Sequence, residues 1–335
     1  MSFNVNLSAM IPGWIDLQVN GYKGVNFSDS NLSIEDIEFV SMELFKQGTL
    51  GYCPTIITSP LEIYKRNLPL ISQASQSKKG AQILGIHLEG PFINPEFGPR
   101  GIHPEKYIVP PSIELYECFR IWADNSISIL TLDPERKGSL SLIKHIIKTS
   151  KTVVSIGHHM AGKEIIQKSV DAGVRAATHV GNGLADTIHR HNNPIWPILA
   201  EDRLTGFFIT DGFHIPKEMI KVCLRAKGIS KFIVTSDLVH FAGIKPGNYV
   251  INNIPVILEP NGFLHREGTS LPAGSVSTMM ECMNFLASIA ELNEKDLLKI
   301  GYENPLNLLG KKINQARSSK ANNLVYDGKH FAVRN

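Results

Sequence analysis

Short apolar or β-branched runs recur along most of the chain. Longer stretches with apolar residues three and four apart separate them. The runs at 14–19 (WIDLQV), 50–57 (LGYCPTII), 82–88 (QILGIHL) and 126–132 (SISILTL) read as strands. So do 152–157 (TVVSIG), 174–178 (VRAAT), 205–210 (TGFFIT) and 231–236 (KFIVTS). They are nearly continuous in apolar character, the pattern of strands covered on both faces. Ser33 before IEDIEFVSMELF predicts a capped helix, with Asp36 as the reciprocal partner. The stretch 162–172 stops at Gly173, and 216–227, opened by Pro216, stops at Gly228; both glycines suit a helix end. Eight βα units between residue 14 and about residue 237 predict an α/β fold, a (β/α)₈ TIM-like barrel. A doubly wound sheet is the alternative, but no GxGxxG or GxxxxGKS loop follows the first strand to favour it.

After 237 the pattern changes. Two β-like runs flank Pro260-Asn261-Gly262 and predict a β-hairpin insertion near 248–268. Helical stretches at 275–291, 294–301 and 304–309 follow, then a polar tail with a last β-like run, NLVYDG. The expected division is a short N-terminal segment at 1–12, the barrel at 13–310 and a tail at 311–335 that could pair with the N-terminus.

Composition narrows the functions open to such a chain. Of 335 residues, 43% are apolar and 19% charged, which excludes a disordered polymer. The 34 basic and 31 acidic residues are dispersed, which argues against nucleic acid as a partner. No run approaches the roughly 18 apolar residues of a membrane span, and no basic segment leads into an apolar one at the start. Cys53, Cys118, Cys223 and Cys282 lie far apart and form no CxxC pair. A disulfide framework is therefore not expected, and a cytoplasmic location is.

A barrel concentrates chemistry just past the C-terminal ends of its strands. Glu89 follows the third strand, His158 the fifth and His179 the sixth, while Asp237 closes the eighth. Gln18 and Asn20 close the first, and His214 lies just beyond the seventh. Singly, each reads as a helix cap or a satisfied turn residue. Together, one carboxylate and two imidazoles make a suitable shell for a borderline divalent cation such as Zn²⁺. A further carboxylate can then move the proton of an attacking water.

Several motifs are more specific. PGWIDLQVNG at 12–21 resembles the first-strand signature of the amidohydrolase superfamily. HLEGPFINPEFGPRGIHP at 87–104, GHHMAG at 157–162 and ATHVGNG at 177–183 resemble the N-acetylglucosamine-6-phosphate deacetylase family. DGFHIP at 211–216, VTSD at 234–237 and PAGS at 272–275 continue the likeness in the family's order. Many amidohydrolases carry His-x-His on the first strand. Gln18-Val19-Asn20 is the form of deacetylases with a single metal, and neutral amides are poor ligands beside imidazole.

The resemblance implies Glu89, His158 and His179 as ligands of one divalent ion per subunit, Zn²⁺ by expectation and Fe²⁺ as the alternative. It implies Asp237 as the general base and then acid, and His103 as the group that polarises the acetyl carbonyl. Asn182, Gly183, Arg190 and His214 would bind the substrate, an amino-sugar phosphate. In some family members this arginine reaches the neighbouring subunit's ligand, which implies a homodimer. The family's small β-sandwich is expected to be reduced or missing here, because little chain precedes the first strand and the tail is short. The alternatives are a deacetylase of another N-acetylated sugar or small amide, and a non-catalytic sugar-phosphate sensor.

Some histidines need a decision. Adjacent strand residues point to opposite faces, so His158 is expected in the site and His159 outside it. His87 reads as a supporting or core residue. His145, His240, His265 and His330 carry no support beyond their type, and Cys53 reads as packed.

Overall fold

The computed structural model describes residues 12–314 and 324–334. Eight parallel strands pair in chain order. They are β1 (Trp14–Val19), β2 (Thr49–Ile57), β3 (Ile86–Glu89), β4 (Ile127–Leu132), β5 (Val153–Ile156), β6 (Ala176–Ala177), β7 (Thr205–Phe208) and β8 (Phe232–Val234). A parallel bridge between Val19 and Leu238 joins the last strand's extension to the first and closes the sheet into a barrel. The doubly wound alternative is thereby excluded, because an open sheet keeps two free edges.

The seam between β1 and β8 is stitched by one buried carboxylate. Asp16 accepts from Thr235 Oγ1 at 2.9 Å, Ser236 N at 3.1 Å and Gln18 N at 3.3 Å. The Ser236 hydroxyl donates to its other oxygen. Burial pushes the Asp16 carboxyl up from its ordinary value, and these donors oppose that push.

Successive strand residues alternate between the barrel interior and the helices outside. Leu88, Leu130, Leu132, Val154, Ile156 and Ala177 face the outer helices and join the larger core. Ile129, Val153, Ala176, Phe207 and Ile233 fill the barrel floor with Ile15 and Leu17. One step up the strands, the inward positions are His87, Thr131, Ser155 and Thr178, all buried. One further step brings Glu89, and the turns after β5 and β6 bring His158 and His179. The barrel is therefore apolar at its floor, hydroxylic in its middle and charged at its mouth.

The predicted helix start is present: the helix Ile34–Lys46 has Ser33 as its cap, with Asp36 returning the bond. Cys53, Cys223 and Cys282 are buried and Cys118 is exposed, all with free thiols. No helix among the described residues is long and apolar enough to cross a membrane.

Where one hairpin was expected near 248–268, three antiparallel strands stand: β9 (Gly247–Ile251), β10 (Ile254–Leu258) and β11 (Leu264–Arg266). The run that reads as a single strand folds back at Asn252-Asn253. Both residues take the left-handed backbone of a two-residue primed turn, φ 49° and 67°. This flap stands between β8 and the helix Met279–Ile289. In the tail, β12 (Leu324–Tyr326) pairs with β13 (Phe331–Val333). Asn284 exchanges hydrogen bonds with the Phe331 backbone, and the Trp14 and Phe331 rings meet edge-on at 4.8 Å. The expected pairing of the first dozen residues with the tail falls outside the described residues. The small sheets that the barrel carries match a reduced second domain.

Candidate active site

The barrel mouth opens into a cavity of about 650 Å³. Glu89, His103, His158, His179 and Asp237 all line it. Glu89 ends a strand and points inward by the alternation that also turns His87 inward. His158, His179 and Asp237 stand two or three residues past a strand, each with left-handed backbone: φ 53°, 30° and 52°. L-residues adopt that conformation at a cost of about 1–3 kcal/mol when surrounding structure holds them there. The turn sends the main chain away from the barrel and leaves each side chain over the mouth.

Three donor atoms converge. Glu89 Oε1 lies 3.2 Å from His158 Nε2 and 2.9 Å from His179 Nε2, and the two nitrogens are 3.0 Å apart. His158 Nδ1 donates to the Pro99 carbonyl at 2.7 Å. A neutral His158 therefore turns a lone pair at Nε2 towards a carboxylate and a second imidazole. Electron-rich atoms at this spacing repel unless a cation lies among them. Tetrahedral bonds of about 2.0–2.1 Å set donor atoms about 3.3 Å apart, so these residues fit a divalent metal ion. Among the described residues they are also the group of side chains whose donor atoms gather closely enough to hold one.

The first-strand amides serve the carboxylates. Gln18 Nε2 donates to Glu89 Oε1 at 2.7 Å, and Asn20 Nδ2 donates to Asp237 Oδ1 at 2.7 Å. Sequence reasoning placed both at the site as non-ligands, but not as donors to these two acids. Burial raises the Glu89 carboxyl, but the three imidazoles around it, His103, His158 and His179, outweigh that and hold it well below its ordinary value. Asp237 goes the other way. Burial and the Glu89 charge push it up to about 8, against the pull of His179 and Asn20.

His103 arrives on the long loop after β3. Its Nδ1 accepts from Thr58 N at 3.3 Å and lies 2.9 Å from Thr58 Oγ1. The proton therefore sits on Nε2, which faces Glu89 Oε2 at 3.6 Å. Burial and the neighbouring His158 lower its pKa to about 4, so the ring is neutral and can donate. Thr58 carries no motif and was not foreseen.

Asn182, Gly183 and His214 line the same cavity. His214 Nδ1 is held by Asp211 Oδ2 at 2.7 Å. Gly183, at φ 62°, is also a close approach: a Cβ there would lie 2.9 Å from His158 Nδ1. Arg190 differs. It is exposed and outside the cavity walls, on a loop whose backbone accepts from Trp196 Nε1 at 2.8 Å.

His159 stays out of the site, its Nδ1 accepting from Ala161 N at 3.0 Å. His87 lies beneath, with Nδ1 3.1 Å from the Leu17 carbonyl and Nε2 2.7 Å from Thr131 Oγ1. His240, which carried no support in the sequence, lines the cavity.

The chain is 31% identical to the N-acetylglucosamine-6-phosphate deacetylase of Bacillus subtilis over 309 residues, 90% of this chain and 76% of that protein. The namesake protein of Caenorhabditis elegans is 31% identical over 314 residues, 89% of this chain and 73% of its own length. The chain belongs to the N-acetylglucosamine-6-phosphate deacetylase family. It spans about three quarters of these relatives. A solved deacetylase of the family, from Pasteurella multocida, superposes with a TM-score of 0.81 at 26% identity, covering 96% of this chain and 84% of that one. That of Thermotoga maritima gives 0.81 at 25%, covering 97% and 89%. No family model matches the chain.

Proposed function

We propose that Glu89, His158 and His179 hold one divalent metal ion and that Asp237 and His103 flank the reacting amide. The chain hydrolyses the N-acetyl group of N-acetylglucosamine 6-phosphate, giving glucosamine 6-phosphate and acetate. The convergence of the three ligand atoms beneath Asp237, in a chain of this family, carries the reading. One carboxylate and two imidazoles suit Zn²⁺. When bound, the ion supplies Lewis acidity towards water and the amide carbonyl, and positive charge that offsets the push of Glu89 on Asp237.

The remaining work belongs to the chain. Asp237, oriented by Asn20, takes the proton of the attacking water. It then returns that proton to the departing nitrogen, so an amine leaves and acetate remains. His103 presents its Nε2 proton to the carbonyl oxygen as negative charge develops there. A donor of this kind is worth about 2.7–4 kcal/mol in other enzymes. Gln18 keeps Glu89 aimed at the two histidines. Asn182, Gly183 and His214 contact the sugar phosphate, and Arg190 joins them where a second copy of the chain carries it to the mouth. The free and mostly buried cysteines support a reducing cytoplasm as the setting.

The deciding experiment is acetate release from N-acetylglucosamine 6-phosphate and from N-acetylglucosamine by protein of known metal content. About one ion per chain with faster turnover of the phosphorylated sugar is the expected result. An ion without turnover of either sugar overturns the substrate assignment.

A further inference from the structure

The side chains that line the cavity carry more carboxyl groups than fixed cations. Glu89, Asp186 and Asp237 bring carboxyl groups to its walls. Among the described residues that line it, Arg266 is the one lysine or arginine. A phosphate brought into such a space needs a fixed cation, and Arg190 stands outside the walls. Arg266 is supplied by the flap, at the end of β11.

Two contacts locate it. The Phe263 ring, three residues earlier, stacks on Phe213 at 5.4 Å, next to His214. The Arg266 guanidinium lies 5.7 Å over the Phe97 ring, an arrangement that holds the planar fork without neutralising it. Gly98, beside Phe97, packs so closely on the 184–185 backbone that a Cβ there would meet Ala185 Cα at 2.9 Å. The flap residue is thus tied on one side to the His214 loop and on the other to the turn that carries Asn182 and Gly183. Glu259, on the same flap, is engaged with His265 at 3.0 Å. No carboxylate among the described residues forms an ion pair with Arg266.

We propose that Arg266 binds the phosphate of the substrate within the same chain, closing over it from the flap while Asn182 and His214 hold the sugar phosphate from below. The guanidinium fork can bond two phosphate oxygens at once and cannot lose its charge. The proposal rests on the deacetylase reading above, and the test separates the two.

Kinetics of Arg266→Ala, Arg266→Lys and Arg190→Ala are compared on phosphorylated and unphosphorylated N-acetylglucosamine. Binding of glucosamine 6-phosphate and glucosamine to each metal-loaded protein is followed by calorimetry. Arg266→Ala is expected to raise KM for the phosphorylated sugar and weaken glucosamine 6-phosphate by about 10- to 100-fold. It should leave kcat within a few fold and the unphosphorylated ligands unchanged, with Arg266→Lys in between. Equal losses on both sugars, or no change, overturn the proposal. So does a phosphate-selective loss confined to Arg190→Ala. If the wild type cleaves neither sugar, the deacetylase reading falls. The Arg266 assignment then stands or falls on the glucosamine 6-phosphate binding alone.

Discussion

A side chain at the mouth of a barrel has to leave its strand in the right direction before its chemistry matters. His158, His179 and Asp237 do so through a left-handed backbone that few residues other than glycine adopt, though His and Asp enter it more often than most. Asparagine tolerates that conformation better than most residues. Asp237→Asn should therefore keep the turn and the donor from Asn20 while losing the ability to take a proton. We expect kcat to fall by about 10²- to 10⁴-fold with metal content unchanged. Turnover near that of the wild type in a metal-replete variant would remove Asp237 from the mechanism.

Asp133, just after β4, tests how burial acts where no ligand is involved. It is fully buried, one carboxyl oxygen has no partner, and burial raises it to about 7. Below the unfolded value near 4, both states are protonated and the residue costs nothing. As the pH rises, the unfolded chain ionises first, so the native state loses stability until about pH 7. Asp133→Asn should remove that slope. In urea unfolding at pH 5 and pH 8, the variant should gain on the wild type by up to about 3 kcal/mol. A parallel pair of curves would mean that Asp133 titrates normally.

Between elements, closure of the barrel depends on Asp16. Replacing it by alanine leaves the buried Gln18 and Ser236 N–H groups without their acceptor. Each orphaned group costs about 1–3 kcal/mol, so Asp16→Ala should lose about 2–6 kcal/mol in denaturant unfolding. Asp16→Asn, which retains an acceptor oxygen, should lose less; equal losses would locate the effect in packing instead. The eight strands were legible because a strand covered on both faces writes its burial into consecutive residues. The Ser33 cap was legible because its partner is three residues away. The flap was read less well. Its turn at Asn252-Asn253 sits inside a run whose flanks are both apolar, and a period of two cannot reveal where such a run folds back.

At the scale of the molecule, what was legible is what lies close in sequence. Glu89, His158, His179 and Asp237 each announce themselves beside a strand, and one closed barrel brings them together. Thr58 was invisible because it acts on a residue assigned elsewhere and belongs to no motif, while Asp211 stood in the DGFHIP block without a role of its own. Arg266 sits 29 residues past Asp237 by numbering, in an insertion that the barrel pattern does not predict. Its placement depends on ring contacts with two other loops. Long-range arrangement of this kind is a property of the packed whole and leaves little trace in local composition.

The hydroxyl layer beneath the site has one last consequence. The Leu17 carbonyl can only accept, so His87 keeps its proton on Nδ1, and with burial holding its pKa near 4 its Nε2 must accept from Thr131. Each hydroxyl has one hydrogen to give, so Thr178 donates to Thr131 and Ser155 donates to Thr178. The chain of bonds runs one way and ends on an oxygen with nothing to pass on. This chain of bonds therefore offers a proton released in the cavity no passage to the barrel floor.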